Sequence, residues 1–298
     1  MKTLSRIYLY FLTLISFPLC GKDMVLDLAD RFFDLGFYEE AIIEYKRYIH
    51  FNAATKEVSY AYYKIGLSYR EEHKLKESLQ AMEASSQAAI SDSIREERKI
   101  DIAVTYIAEG RYDKAKFMLL KIISFSDIVE IRRKASLFLG IVHIYCYEWG
   151  SARDALQVYF KEGGNTVFAR TVDTVLSYAE NMKYKSPTTA KWLSTFVPGT
   201  GQMYAGNVGE GVNSLLLNSA NIYFIIYKLL KEEYGNAYII YFFLFRRYYF
   251  GNIYYARKGA MDYNRRLSEQ VADSVFALIK RIEGIISYPD PDQESGEF

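Results

Sequence analysis

Apolar positions along the first half of the chain recur in phase every 37 residues. Ala41, Ser78, Ala115 and Ala152 form one set of small residues, and Ala29, Gly66, Ala103 and Gly140, twelve residues earlier, form another. Large residues follow at fixed offsets: Phe32, Tyr69, Tyr106 and His143 lie three after the Ala29 set, and Tyr45, Met82, Leu119 and Leu156 lie four after the Ala41 set. Spacings of three and four place a small and a large residue one turn apart on the same helix face. Two antiparallel helices approach closely only where each offers a small side chain and large neighbours fill the space beside it. The pattern therefore predicts four helical pairs over residues 22–185. A further amphipathic helix in "NTVFARTVDTVLSYAENMKY" closes them, as the end of a stacked array requires. The fourth pair has an alternative register three residues later, through Gly150 and Ala155 in "EWGSARDAL". Ser93 with Glu96, Asp127 with Glu130 and Ser151 with Asp154 read as capping pairs at helix starts.

The stretches "LADRFFDLGFYEEAIIEYKRYI", "AYYKIGLSYREEHKLKESLQAM" and "AVTYIAEGRYDKAKFMLL" carry the small and large positions of the tetratricopeptide repeat and resemble members of that family, with Gly36 and Gly110 at its interhelical turn. The family's usual period is 34, so three extra residues per unit lengthen a helix end or a loop. The resemblance implies an all-α, TPR-like repeat array (an α-solenoid) whose first helices line a groove. In the third and fourth units the groove positions are Ile100, Val104, Ile107, Leu137, Ile141, Ile144 and Tyr145. Such a groove is greasy, and two occupants fit it: a partner helix or apolar peptide, or this chain's own carboxyl-terminal segment. The Lys and Asn clamp by which some members hold an acidic peptide end is absent, its positions carrying Leu26, Tyr63, Ile100 and Leu137, and Asp30, Leu67, Val104 and Ile141.

Composition shifts after Ser186-Pro187, which ends the helical pattern. The string Pro198-Gly199-x-Gly201-Gln202-x-Tyr204-x-Gly206 precedes an apolar run from Val212 to Leu230 and a second from Ala237 to Ala256. It resembles the opening of small two-span membrane domains found in bacteria, which implies an apolar helical hairpin over residues 186–264 and no transferable reaction. The glycines lack the lysine and spacing of a phosphate loop, so they read as a turn permitting close helix approach. The first run is long enough to span a bilayer, although Asn213, Asn218, Asn221 and Lys228 weaken it. Arg246 and Arg247 interrupt the second, at about 2.5–3.5 kcal/mol each at a bilayer centre. Either the pair faces protein or water, or the segment lies shallow. It is a candidate for lipid headgroups or a partner's carboxylates, with a snorkelling or internally paired role as the alternative. An amphipathic helix over residues 265–288 and a disordered acidic tail over 289–298 are expected next.

Residues 1–21 combine Lys2 and Arg6 with an apolar run from Ile7 to Leu19, the layout of a secretory signal peptide. Cys20 follows a faint lipoprotein-like site, and ordinary cleavage or an uncleaved anchor are the alternatives. The 298 residues carry a formal net charge of +1, which gives nucleic acid no reason to bind. Eleven of the 28 tyrosines fall between Tyr204 and Tyr263. His50, His73 and His143 sit in separate repeats with no ligand-spaced partner, and Glu39-Glu40, Glu71-Glu72 and Glu96-Glu97 diverge around their helices. No enzyme, metal or cofactor is expected. The expectation is a non-enzymatic scaffold of the bacterial cell envelope, membrane-associated with a periplasmic repeat domain. Protein and membrane lipid are its partners, and a homo-oligomer is a further expectation. The alternatives are a lipoprotein-type outer-membrane assembly factor and a subunit of a small channel or transporter.

Overall fold

The computed structural model of the chain describes residues 22–53, 55–164 and 166–283, with no strand among them. The expected leader, Cys20, the acidic tail and the last residues of the expected 265–288 helix lie outside the described residues. Two compact units divide at residue 173, ahead of the expected boundary at 185 and inside helix α9 (Thr166–Glu180).

The first unit pairs α1 (Lys22–Asp34) with α2 (Tyr38–Phe51), α3 (Glu57–Glu71) with α4 (Leu75–Ala88), α5 (Asp92–Ala108) with α6 (Tyr112–Phe125), and α7 (Val129–Tyr145) with α8 (Trp149–Glu162). Each helix packs on the next, and α1 on α3 and α5 on α7 as well, the neighbour-only pattern of a repeat array. The small positions are steric requirements. A Cβ added to Gly66 would lie 2.9 Å from the Met82 side chain, and one added to Gly140 would lie 2.6 Å from Leu156 Cγ. The same face of α4 also ties itself to α3, because the Ser78 hydroxyl donates to the Gly66 carbonyl at 2.7 Å.

The interhelical turns repeat down to single hydrogen bonds. Gly36, His73, Gly110 and Tyr147, each 37 residues from the last, all have left-handed backbone with φ of 76°, 56°, 70° and 56°. The residue after each sends its amide back to close the helix: Phe37 to the Phe32 carbonyl, Lys74 to Tyr69, Arg111 to Tyr106 and Glu148 to His143, at 2.8–2.9 Å. This is the Schellman closure of a helix end. Tyr147 at the turn and the fully buried Ala152 place the fourth unit in the 37-residue register and exclude the one through Gly150 and Ala155.

The expected caps differ. Ser91, not Ser93, caps α5 by accepting from the Ile94 amide at 3.2 Å. Ser126 accepts from the Ile128 amide ahead of α7, and Ser151 lies inside α8, which starts at Trp149 without a side-chain cap. Within each pair the Schellman turn leads directly into the second helix, and α2, α4, α6 and α8 all start without a side-chain cap.

The second unit contains α10 (Pro187–Phe196), α11 (Thr200–Tyr204), α12 (Val208–Leu230), α13 (Tyr234–Ile239), a π-helical turn (Ile240–Phe245) and α14 (Arg246–Glu283). Ser186-Pro187 opens a helix rather than merely ending one. The Ser186 hydroxyl accepts from the Thr189 amide at 3.2 Å, with proline in the first turn where its missing N–H costs nothing. The Schellman turn recurs at Gly206 (φ 96°) and Glu232 (φ 60°), where the amides of Asn207 and Glu233 return to Gln202 and Lys228 at 2.9 Å. α14 runs unbroken for 38 residues, so the end of the hairpin's second arm and the expected final helix are one element.

Two substitutions test the repeat geometry in opposite directions. Gly140→Val should destabilise the chain by about 2 kcal/mol through overpacking. His73→Gly should stabilise it by about 0.5–1 kcal/mol by relieving the left-handed backbone. Both read out as shifts in the urea unfolding midpoint.

Candidate functional site

The residues expected to wall an apolar groove are mostly core. Ile100, Ile107, Leu137, Ile141 and Ile144 are buried, because α5 packs on α7 in addition to each helix packing on its own partner. Val104 and Tyr145 are half-buried, and the Tyr145 ring stacks on Tyr112 at 5.7 Å. Asp30, one of the clamp positions, is committed internally: it accepts from the Tyr45 hydroxyl at 2.5 Å and the Tyr60 hydroxyl at 2.9 Å. Burial first and the Asp30 hydrogen bond second push both phenols well above the usual tyrosine range. Arg98 lies 3.6 Å over the Tyr63 ring and contacts Asp101 at 3.4 Å. Burial raises the Asp101 carboxyl, with Lys134 and Arg98 opposing. No open apolar groove exists at these positions.

The glycine string behaves differently, because the structure draws most of it into one junction. Gly199 is left-handed (φ 95°), and a side chain there would strike the Gly211 carbonyl. Gly201 sits against the Ala190 carbonyl and the Ala256 methyl, and a Cβ on Gly211 would lie 2.5 Å from Met203 Cγ. Around these approaches lies a polar network. The Gly199 amide donates to Asn252 Oδ1 at 2.8 Å and the Ser214 hydroxyl to the same oxygen at 2.9 Å. Asn252 Nδ2 donates to the Ser194 carbonyl at 2.9 Å, and Gln202 Nε2 to the Asn252 carbonyl at 3.3 Å. The Ser194 hydroxyl donates to Gln202 Oε1 at 3.2 Å and accepts from the Gly201 amide at 3.0 Å. Asn252 thereby ties α10, the glycine turn, α11 and α12 to α14. Tyr204 accepts from the Ser186 amide at 3.1 Å, while Pro198 only shapes the turn and Gly206 closes α11. The sequence reading missed Asn252, Ser194 and Ser214. Ser214, Asn218 and Asn221 follow helical spacing along α12, which marks a polar seam.

Seen from outside, this unit is inverted. Asn218, Asn252 and Gln202 are 1%, 4% and 3% exposed, while Phe224, Leu230, Phe243 and Phe250 are 51%, 79%, 63% and 61% exposed. The interhelical core is made of Ala190, Ala205, Ala256 and Ala260. Water-soluble units place these classes the other way round, and small residues with interhelical amides are how helices associate in lipid. Nothing charged lies between Glu210 and Lys228 on α12. At the hairpin turn, Lys228 meets Glu233 at 2.7 Å, and that hydrogen bond, with one from Asn236, holds the Glu233 carboxyl below its usual range. Arg246 and Arg247 directly follow the π-helical turn and are exposed, with the Arg246 guanidinium 5.3 Å from the Phe242 ring. No described helix is long and apolar enough to cross a membrane. The expectation of membrane-spanning helices is corrected on that point: asparagines lower the average along α12, and the second apolar run is divided among α13, the π-helical turn and α14, which opens on Arg246 and Arg247. Among the described residues no cluster of His, Cys, Asp or Glu fits a metal ion.

No protein-family model and no curated protein matches the chain.

Asn252→Leu should cost about 3 kcal/mol, since it leaves the Gly199 amide and the Ser194 carbonyl buried and unpaired. Asn213→Leu, at an exposed position on α12, should stay within about 0.5 kcal/mol. Thermal unfolding of the full chain in detergent separates the two.

Proposed function

We propose that the protein is a non-enzymatic, membrane-associated scaffold of the bacterial cell envelope, in which a TPR-like array is held at a membrane by its carboxyl-terminal hairpin. The observation that carries this reading is the inversion of the second unit, polar amides and alanines inside with large aromatic and aliphatic residues outside. Large apolar side chains exposed in such number mark a surface that meets an apolar partner. Lipid is the partner favoured here, because exposed apolar residues occur along both arms rather than on one docking face, and because tyrosines crowd the region as they do at membrane interfaces. The exposed arginine pair and the polar seam favour insertion as a packed hairpin over crossing by two independent lipid-facing helices. The resemblance of the glycine string to two-span membrane domains agrees with it. For the array, the resemblance to tetratricopeptide repeats supports protein partners. The buried groove residues direct such contacts to its outer surface.

Triple substitution Phe224→Asp, Phe243→Asp and Phe250→Asp in the full chain tests the anchor at exposed positions. Wild type is expected in carbonate-washed membranes and the triple variant in the supernatant. Wild type in the supernatant would end the anchored reading, and a variant that stays bound would move the anchor to the amino end.

A further inference from the structure

We infer that a cleft at the base of the hairpin binds the phosphate of an anionic phospholipid headgroup, an inference that rests on the membrane reading above. The cleft, about 360 Å³, is lined by Gly206, Asn207, Tyr263, Arg266 and Gln270 among others, within the size range of small-ligand sites. Lys185 stands at its rim, with Nζ 4.0 Å from the Tyr263 ring centroid and 3.6 Å from where a Cβ on Gly206 would sit. The Lys185 backbone is fixed on both sides by Asn264, whose Oδ1 accepts from the Lys185 amide at 2.8 Å and whose Nδ2 donates to its carbonyl at 2.9 Å. The backbone is thereby fixed, and half-buried Lys185 rests its ammonium on the Tyr263 ring.

Charge around the cleft is left unbalanced. Arg265 pairs with Asp262 at 3.5 Å and with Glu269 at 3.7 Å. Neither Lys185 nor Arg266 has a carboxylate within 4 Å among the described residues. Two cations beside the side-chain amides of Asn207 and Gln270 offer charge-assisted hydrogen bonds to phosphate oxygens. The depth also fits. Exposed Arg257 and Lys258 end the apolar stretch of α14, and Tyr263 lies about 7.5 Å further along the helix at 1.5 Å per residue. That is roughly the thickness of one headgroup layer beyond the hydrocarbon. A phosphate source lying in the plane of the membrane meets the cleft with no further movement, which favours lipid over a free anion.

The test is native mass spectrometry of the full chain in non-ionic detergent, titrated with dihexanoyl phosphatidylglycerol, dihexanoyl phosphatidylcholine or inorganic phosphate. One saturable phosphatidylglycerol is expected, bound about tenfold more tightly than phosphatidylcholine. Lys185→Gln with Arg266→Gln should weaken it about 25-fold, about fivefold per charge, and Arg266→Lys should restore most of the loss. Arg257→Gln with Lys258→Gln should change it by less than about twofold, since those charges lie outside the cleft. Equal weakening by the two pairs would mean diffuse surface attraction, and inorganic phosphate binding as tightly as the lipid would mean a free-anion site; either overturns the inference. Flotation on phosphatidylcholine vesicles separates it from the anchor itself. The Lys185→Gln, Arg266→Gln chain should still float, whereas wild type that fails to float contradicts the membrane reading instead.

Discussion

The structure depends on helices meeting where a side chain is missing. In the first unit the contact is Gly66 against Met82 and Gly140 against Leu156, and each such contact sets how close one helix of a pair lies to the other. Everything periodic follows from it. The left-handed turn recurs every 37 residues because it returns the chain at that spacing. The second unit uses the same device with a different filler: Gly199, Gly201 and Gly211 admit backbone, and Asn252 adds hydrogen bonds beside the Ala256 methyl.

That difference in filler separates the two units chemically. An array filled by Tyr45, Met82, Leu119 and Leu156 gains its cohesion from apolar burial. A junction filled by asparagine, glutamine and serine gains little from leaving water, since each amide exchanges one set of partners for another. It is most effective where the surroundings offer no competing hydrogen bonds. The exposed aromatic surface around it is the other half of the membrane reading proposed above.

Much of the first unit was legible because repetition averages out local ambiguity. One small residue says little, but four in phase define a contact, and Tyr147 falls at the turn although nothing in tyrosine favours left-handed backbone. The groove was misread because periodicity marks a face without saying what covers it: Ile141 and Ile144 share a face with Val104 and Tyr145 in repeat phase, yet the packing of α5 on α7 buries the first two. In the second unit the glycines were read as close-approach positions, and Gly199 and Gly201 are. Asn252 was invisible, since its partners lie 53 and 58 residues away and no local pattern links them.

The same separation in sequence explains why the hydropathy average and the exposed surface of this hairpin differ. A window average treats Asn218 and Phe224 as equal contributors to one helix, although the first is buried against its neighbours and the second faces outward. What surrounds a protein meets only the outward set. Along α12 that set includes Leu216, Leu217, Tyr223, Phe224, Ile226 and Leu230, while the asparagines that depress the average are mostly spent inside. A helix pair can therefore fall short as two separate spans and still present an apolar exterior, here with a seam only partly paired: Asn218 Nδ2 donates to the Ser214 carbonyl of its own helix, and its buried Oδ1 has no partner among the described residues. The surface that decides the environment belongs to the folded pair, and neither helix carries it alone.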